Sequence, residues 1–233
     1  MTMINGNSFD TFDELCSEIL KLIRPRQVLE IGAGKGKYGR LIRTAGLAET
    51  SLIAIEPDAA MNPLLTENGY SEIVNRGADC LYETPDMIFD FIIMGDVLEH
   101  FRYSEGLDLL QYLNYRAAYI LIITPEAMPL RAPEFMVGHN AQWPPRLMTW
   151  HDYWLYQRCG QMHFYLLRGN MDDGQTPLAV VMEQINAAGM SLRFPTNAEL
   201  TNYQTIPVQL QLVDQRTHDV SDDATVAWYY RPA

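Results

Sequence analysis

A doubly wound, mainly parallel α/β sheet with helices on both faces and a C-terminal β elaboration is the fold class this sequence predicts. Three observations predict it. Apolar runs at 28–31, 51–55, 89–94 and 118–123 alternate with helix-like patterns. The first run enters a glycine-rich turn, Gly32-Ala33-Gly34-Lys35-Gly36, and the second delivers an acid, Glu56, at its end. Strand, crossover and strand repeated in this way make a parallel sheet, and strands without polar alternation are covered on both faces.

The elements follow in order. Thr11-Phe12-Asp13-Glu14 reads as a capping box, and Phe12, Leu15, Cys16, Ile19, Leu20 and Ile23 fall on one helix face before Pro25 stops it. Val28 to Ile31 is the first strand, and Ser51 to Ile55 is the second. Glu72 to Asn75 is a short third strand, followed by Gly77-Ala78-Asp79-Cys80-Leu81. Phe89 to Met94 is the fourth and opens into Gly95-Asp96-Val97-Leu98-Glu99-His100. Tyr103 to Tyr115, with Leu107, Leu109, Leu110 and Leu113, is the helix leading to the fifth strand, Ala118 to Ile123.

The glycine spacing selects a ligand. A dinucleotide fingerprint GxGxxG needs a glycine at position 37, where this chain has Lys37. Glu30-x-Gly32-x-Gly34-x-Gly36 instead resembles the first motif of class I S-adenosylmethionine-dependent methyltransferases, and Asp96-Val97-Leu98-Glu99-His100 resembles their segment after strand four. The resemblance spans roughly residues 11 to 155. It implies a Rossmann-like sheet, S-adenosyl-L-methionine as cofactor, and a donor site made by Glu30, Gly32, Ala33, Gly34, Gly36, Tyr38, Glu56, Pro57, Asp79, Cys80, Asp96 and Val97. Glu30 would meet the cationic amino-acid end, Glu56 the ribose diol, Asp79 the adenine amino group and the Cys80 amide the ring.

Composition bounds the partners. A chain of 233 residues with 48% hydrophobic content suits one domain over 1–233, divided into a donor-binding core (11–125), an acceptor-pocket or lid region (126–170) and a C-terminal elaboration (171–233). Formal charge is −12, and the pI is near 4.7. Nucleic acid and anionic membrane are therefore disfavoured partners, and a small-molecule acceptor is expected. Cys16, Cys80 and Cys159 form no CxxC, which predicts no disulfide or zinc site. Without a leader-like N-terminus or a long apolar run, the expected compartment is the cytoplasm.

Residues 127 to 157 are rich in proline and aromatics, and His139, Trp143, Trp150 and His151 are the candidate acceptor-pocket residues there. Trp150-His151-Asp152-Tyr153 is similar to a Trp-x-x-Asp-Phe pattern of bacterial methyltransferases of the Gly-Lys-Tyr-Gly type, where tryptophan and acid open a helix before strand six. Strand six itself has two candidates, 159–167 or 189–194 preceded by a helix at 178–188. Residues 207–213 and 225–230 read as a terminal hairpin.

Methyl transfer from a sulfonium chiefly requires alignment of donor and nucleophile, and a hydroxyl acceptor also benefits from a base. His100 is the candidate base, with Asp96 beside it. An amino-directed DNA enzyme would carry Asp-Pro-Pro-Tyr after strand four, which is absent. A catechol-type magnesium enzyme would need Asn after strand five, where Thr124-Pro125-Glu126 stands, so no metal is expected. A hydroxyl on a small metabolite, glycan or lipid precursor is the expected acceptor. The alternatives are a non-catalytic S-adenosylmethionine-binding module and a nucleotide-cofactor oxidoreductase.

Overall fold

The computed structural model describes residues 10–126, 138–171, 176–195 and 201–216. In chain order the elements are α1 (Asp13–Ile23), β1 (Gln27–Ile31), α2 (Lys37–Thr44), β2 (Ser51–Ile55), α3 (Asn62–Glu67), β3 (Glu72–Val74), β4 (Phe89–Gly95), α4 (Tyr103–Asn114) and β5 (Ala117–Pro125). Then come β6 (Tyr153–Cys159), β7 (Met162–Arg168), α5 (Leu178–Ala187), β8 (Ser191–Pro195), β9 (Tyr203–Pro207) and β10 (Gln211–Asp214).

One eight-stranded sheet runs in the order β10-β6-β7-β5-β4-β1-β2-β3. The five strands from β3 to β5 pair in parallel, whereas β7 runs antiparallel to both β5 and β6, and β10 antiparallel to β6. The chain leaves β1 outward through β2 and β3 and returns to β1's other side through β4 and β5. That reversal opens a crevice at the carboxyl ends of β1 and β4, the place where such sheets hold ligands. Pleating sends alternate residues to opposite cores. Val28, Phe91, Ile93 and Leu121 join α1, α2 and α5 on one face, while Leu29, Ile31, Ile92 and Ile122 join α4 on the other. Every residue of β4 and β5 is buried, in keeping with apolar runs interrupted only by Asp90, which accepts the Arg26 and Gln27 N–H groups, and Thr124.

Four expectations are corrected. Helix α1 starts at Asp13, and the Thr11 hydroxyl, buried with Phe12 where that ring meets Phe164 at 5.5 Å, caps nothing among the described residues. The Asp13 N–H instead donates to Asp10 O (3.0 Å). Trp150 to Tyr153 opens no helix. The aromatic run beginning at Tyr153 is strand β6, consistent with the β propensity of such residues. The run 159–167 splits at Gly160, whose φ of +59° turns β6 into β7, so both candidate segments are real but only β7 joins the main sheet. Helix α5 leads to β8, which pairs with β9 in a separate two-stranded sheet. The run 207–213 is likewise divided, because Pro207 ends β9 and the Asn186 side chain grips Leu210 through both its N–H (2.7 Å) and its C=O (3.0 Å) before β10 begins. Residues 225–230 lie outside the described residues.

Candidate active site

The glycine turn is pinned at its start and open at its middle. Gly32 N–H donates to Ile55 O (2.8 Å), and Ala33 N–H points to the same carbonyl (3.4 Å). Gly32 has φ +68°, and a Cβ there would lie 2.5 Å from Val97 Cγ2, so only glycine lets the turn and the segment after β4 touch. Gly34, at φ +51°, has nothing within 4 Å of where a Cβ would sit. Gly36 precedes α2 and donates its N–H to Ala33 O (2.8 Å).

Glu30 is buried at the end of β1. Its carboxyl is 3% exposed and accepts the Tyr70 hydroxyl, which in turn accepts the Gly39 N–H (2.9 Å) from α2. Through Tyr70 the Glu30 carboxyl is tied to the start of α2. Burial pushes the Glu30 carboxyl up to about 8, against the lowering effect of the Tyr70 hydrogen bond. Tyr38 packs against the end of β4, since a Cβ on Gly95 would sit 2.4 Å from its ring. The Tyr38 hydroxyl is buried without a hydrogen-bond partner among the described residues.

Glu56, at the end of β2, accepts from Gly34 N–H (Oε2, 2.8 Å) and Asp58 N–H (Oε1, 2.9 Å). Pro57 beside it is exposed. Asp79 is exposed and folds back over Gly77, and the Cys80 N–H is taken by Gly77 O (3.2 Å) in the 3-10 turn Ala78–Glu83. Cys80 also lines a cleft of about 140 Å³ walled by Leu29, Ile53, Ile55, Val74 and Leu81.

Beyond β4 the backbone is strained. Asp96 has φ +55°, uncommon for a residue with a Cβ, and is held there by its N–H bond to Ile123 O (2.8 Å). The 3-10 turn Leu98–His100 follows, and the segment 138–141 docks on it. Asn140 and Ala141 N–H both reach Glu99 O (2.7 and 3.2 Å), Asn140 Nδ2 reaches His100 O (2.8 Å), and His100 Nδ1 lies 3.3 Å from Gly138 O. These contacts bring His139 edge-on to His100, with ring centroids 4.8 Å apart. They also place its Nε2 4.0 Å from Glu99 Oε1, and the other Glu99 oxygen accepts the Thr124 hydroxyl at 3.2 Å. Burial, reinforced by the nearby Asp96 charge, raises the Glu99 carboxyl, and burial lowers the His100 imidazole. Glu99 was not among the sequence candidates, although it sits inside the motif that carried them. Its adjacency to His139 depends on a chain reversal no local pattern announces.

Of the remaining pocket candidates, Trp143 supports the same turn, whereas Trp150 and His151 lie elsewhere. Trp143 is fully buried, donates its indole N–H to Leu98 O (3.0 Å) and packs against Gly106 and Tyr103. His151 lies by the start of β5, at the opposite end of the sheet from Asp96. It is held by Asn114 Oδ1 (3.0 Å) and by the Tyr153 N–H (3.1 Å), and burial lowers it to about 4. Trp150 stacks edge-on against His151 at 5.2 Å, so both are foundations of β6 and not acceptor contacts.

A family described as a methyltransferase domain matches residues 8–168. The chain belongs to that methyltransferase family. Its cofactor is S-adenosylmethionine, and its sheet is the Rossmann-like fold of these enzymes. Solved structures of similar fold include an O-methyltransferase family protein from Burkholderia thailandensis, at 14% identity and TM-score 0.54, covering 68% of this chain and 55% of that one. This methyltransferase therefore spans about half of the Burkholderia protein. A SAM dependent methyltransferase from Archaeoglobus fulgidus is 16% identical at TM-score 0.52, over 67% of this chain and 94% of that one. The plantazolicin methyltransferase BpumL, solved in complex with SAH, is 12% identical at TM-score 0.51, over 68% and 82%. No curated protein matches in sequence.

Proposed function

We propose that this methyltransferase moves a methyl group to a hydroxyl of a small metabolite, glycan or lipid precursor, in the cytoplasm. The observation that carries the reading is the contact of Val97 with Gly32, which sets the turn bearing His100 directly beside the glycine turn. S-adenosylmethionine supplies the electrophilic methyl; the chain's own part is to bind, align and deprotonate. Gly34 leaves open space at the middle of the turn, between Gly32 and Ala33 on one side and Gly36 on the other, and the Tyr38 hydroxyl, without a hydrogen-bond partner among the described residues, lies against Gly95. Glu56 exchanges its two backbone N–H partners for ribose hydroxyls, and Pro57, Asp79 and Cys80 border the adenine. Asp96 and Val97 close the reacting end. His100 activates the acceptor hydroxyl, and in the metal-free protein its Nε2 takes the proton, because Nδ1–H is directed at Gly138 O. His139 borders the acceptor, and a cleft of about 350 Å³ edged by Tyr103, Asn140, Gln142 and Arg146 gives it a path. The three cysteines are buried and free, and no helix among the described residues is long and apolar enough to cross a membrane.

Isothermal titration tests the donor half: S-adenosylhomocysteine is expected to bind and NAD is not, and NAD binding at micromolar concentration with no response to S-adenosylhomocysteine would overturn the assignment. Glu56→Ala is expected to weaken that binding by about 1–3 kcal/mol, the scale of a charge-assisted hydrogen-bond pair, with the fold retained. Unchanged affinity together with a collapsed melting temperature would make Glu56 a brace for Gly34 and Asp58 alone. A turnover screen over hydroxylated metabolites tests the acceptor half.

A further inference from the structure

Glu99, His100 and His139 each offer one ligand atom, all within 4.8 Å of one another, and we infer that together they form a binding site for a divalent first-row transition cation. The separations argue for it. Glu99 Oε1 and His139 Nε2 are 4.0 Å apart, too far to hydrogen-bond. Two donor atoms each about 2.1 Å from one ion lie about 3.0 to 4.2 Å apart, depending on the angle between them. The Glu99–His139 separation of 4.0 Å falls inside that range as it stands. The scaffold is already built, because four hydrogen bonds lock segment 138–141 onto the Leu98–His100 turn and the Thr124 hydroxyl orients the second Glu99 oxygen.

The charges agree with the geometry. Glu99 is 1% exposed, and a second carboxylate, Asp96, lies three residues before it in the same segment. A bound dication would offset the negative charge of such a buried carboxylate. Two imidazoles with one carboxylate suit manganese, iron, cobalt or zinc and disfavour magnesium, which prefers oxygen ligands throughout. Three protein ligands leave positions open for an acceptor oxygen. This role rests on the hydroxyl-methylation reading: coordination makes the hydroxyl more acidic, its proton passes to solvent, and His100 then acts by holding the cation.

Metal-stripped protein should be titrated with Mn²⁺ and, separately, Zn²⁺, by calorimetry and by manganese paramagnetic resonance. One cation per chain is expected, with affinity reduced at least about tenfold in Glu99→Gln, His139→Gln and His100→Gln. Because His100 is on the surface, His100→Gln remains informative where the buried variants fail to fold. No saturable uptake, or uptake that all three folded variants retain, overturns the site. Turnover with and without chelator separates the two readings. Methylation undiminished after complete metal removal overturns the cation's part while sparing the methyltransferase, whereas cation binding that these variants abolish, in a protein that methylates no hydroxyl, keeps the site and overturns the acceptor reading.

Discussion

His100→Ala is expected to lower turnover by about 10²–10⁴-fold while S-adenosylmethionine affinity stays within a factor of a few, because the imidazole acts on the acceptor's oxygen and not on the adenosine. The pH profile carries the finer test. Burial lowers the His100 imidazole below its ordinary 6.5, so the ring is neutral at pH 7 with its lone pair available. Acidification through that lowered value protonates the ring and removes activity, giving an ascending limb below pH 6.5 that the variant lacks. The limb is common to a base and to a cation ligand, since both need the unprotonated nitrogen; chelation distinguishes them. Full activity of His100→Ala on the true acceptor would leave alignment alone as the mechanism.

Glu30→Gln is expected to stabilise the protein at pH 8 and to flatten its stability between pH 5 and 8. The folded carboxyl is held up to about 8, whereas an unfolded one titrates near 4.3. Between those values the folded state keeps a proton that the unfolded chain has released, so stability falls as pH rises, by about 1.4 kcal/mol per unit for this group. Glutamine cannot titrate, and its amide oxygen still accepts the Tyr70 hydroxyl, so the link to Gly39 N–H and the start of α2 survives. Denaturant melts of both proteins at pH 5, 6.5 and 8 read the effect. A variant less stable than the parent at pH 8, or an unchanged slope, would show that the carboxylate is held ionised after all. Donor affinity in Glu30→Gln should remain within a few-fold, because the brace is kept; a loss of several orders of magnitude would restore the direct contact with the donor that the glutamate was first expected to make.

The Glu30 and His100 predictions differ in how much of their basis the sequence alone supplied. By itself the sequence determined the parallel core, the glycine turn between β1 and α2, Glu56 at the end of β2 and the segment from Asp96 to His100. Each is a short contiguous pattern whose meaning comes from local chemistry: buried strands must be apolar on both faces, and a turn with φ above zero must be glycine. What tertiary structure alone decided depends on distant partners. Glu30 sits two residues before the turn, yet its hydrogen-bond partner is Tyr70, forty positions away. Trp150 and His151 look like pocket residues in a row of aromatics, but pairing of β6 with β7 placed them at the far end of the sheet, with His151 held by Asn114. The antiparallel hairpin of β6 and β7 hung on the positive φ of a single glycine, Gly160. Glu99 and His139, separated in sequence by α4 and β5, meet because backbone amides of Asn140 and Ala141 bind the Glu99 carbonyl. Periodicity reports which face of an element is buried; it carries no information about which remote backbone will supply a hydrogen bond, and that choice is what assembled the site.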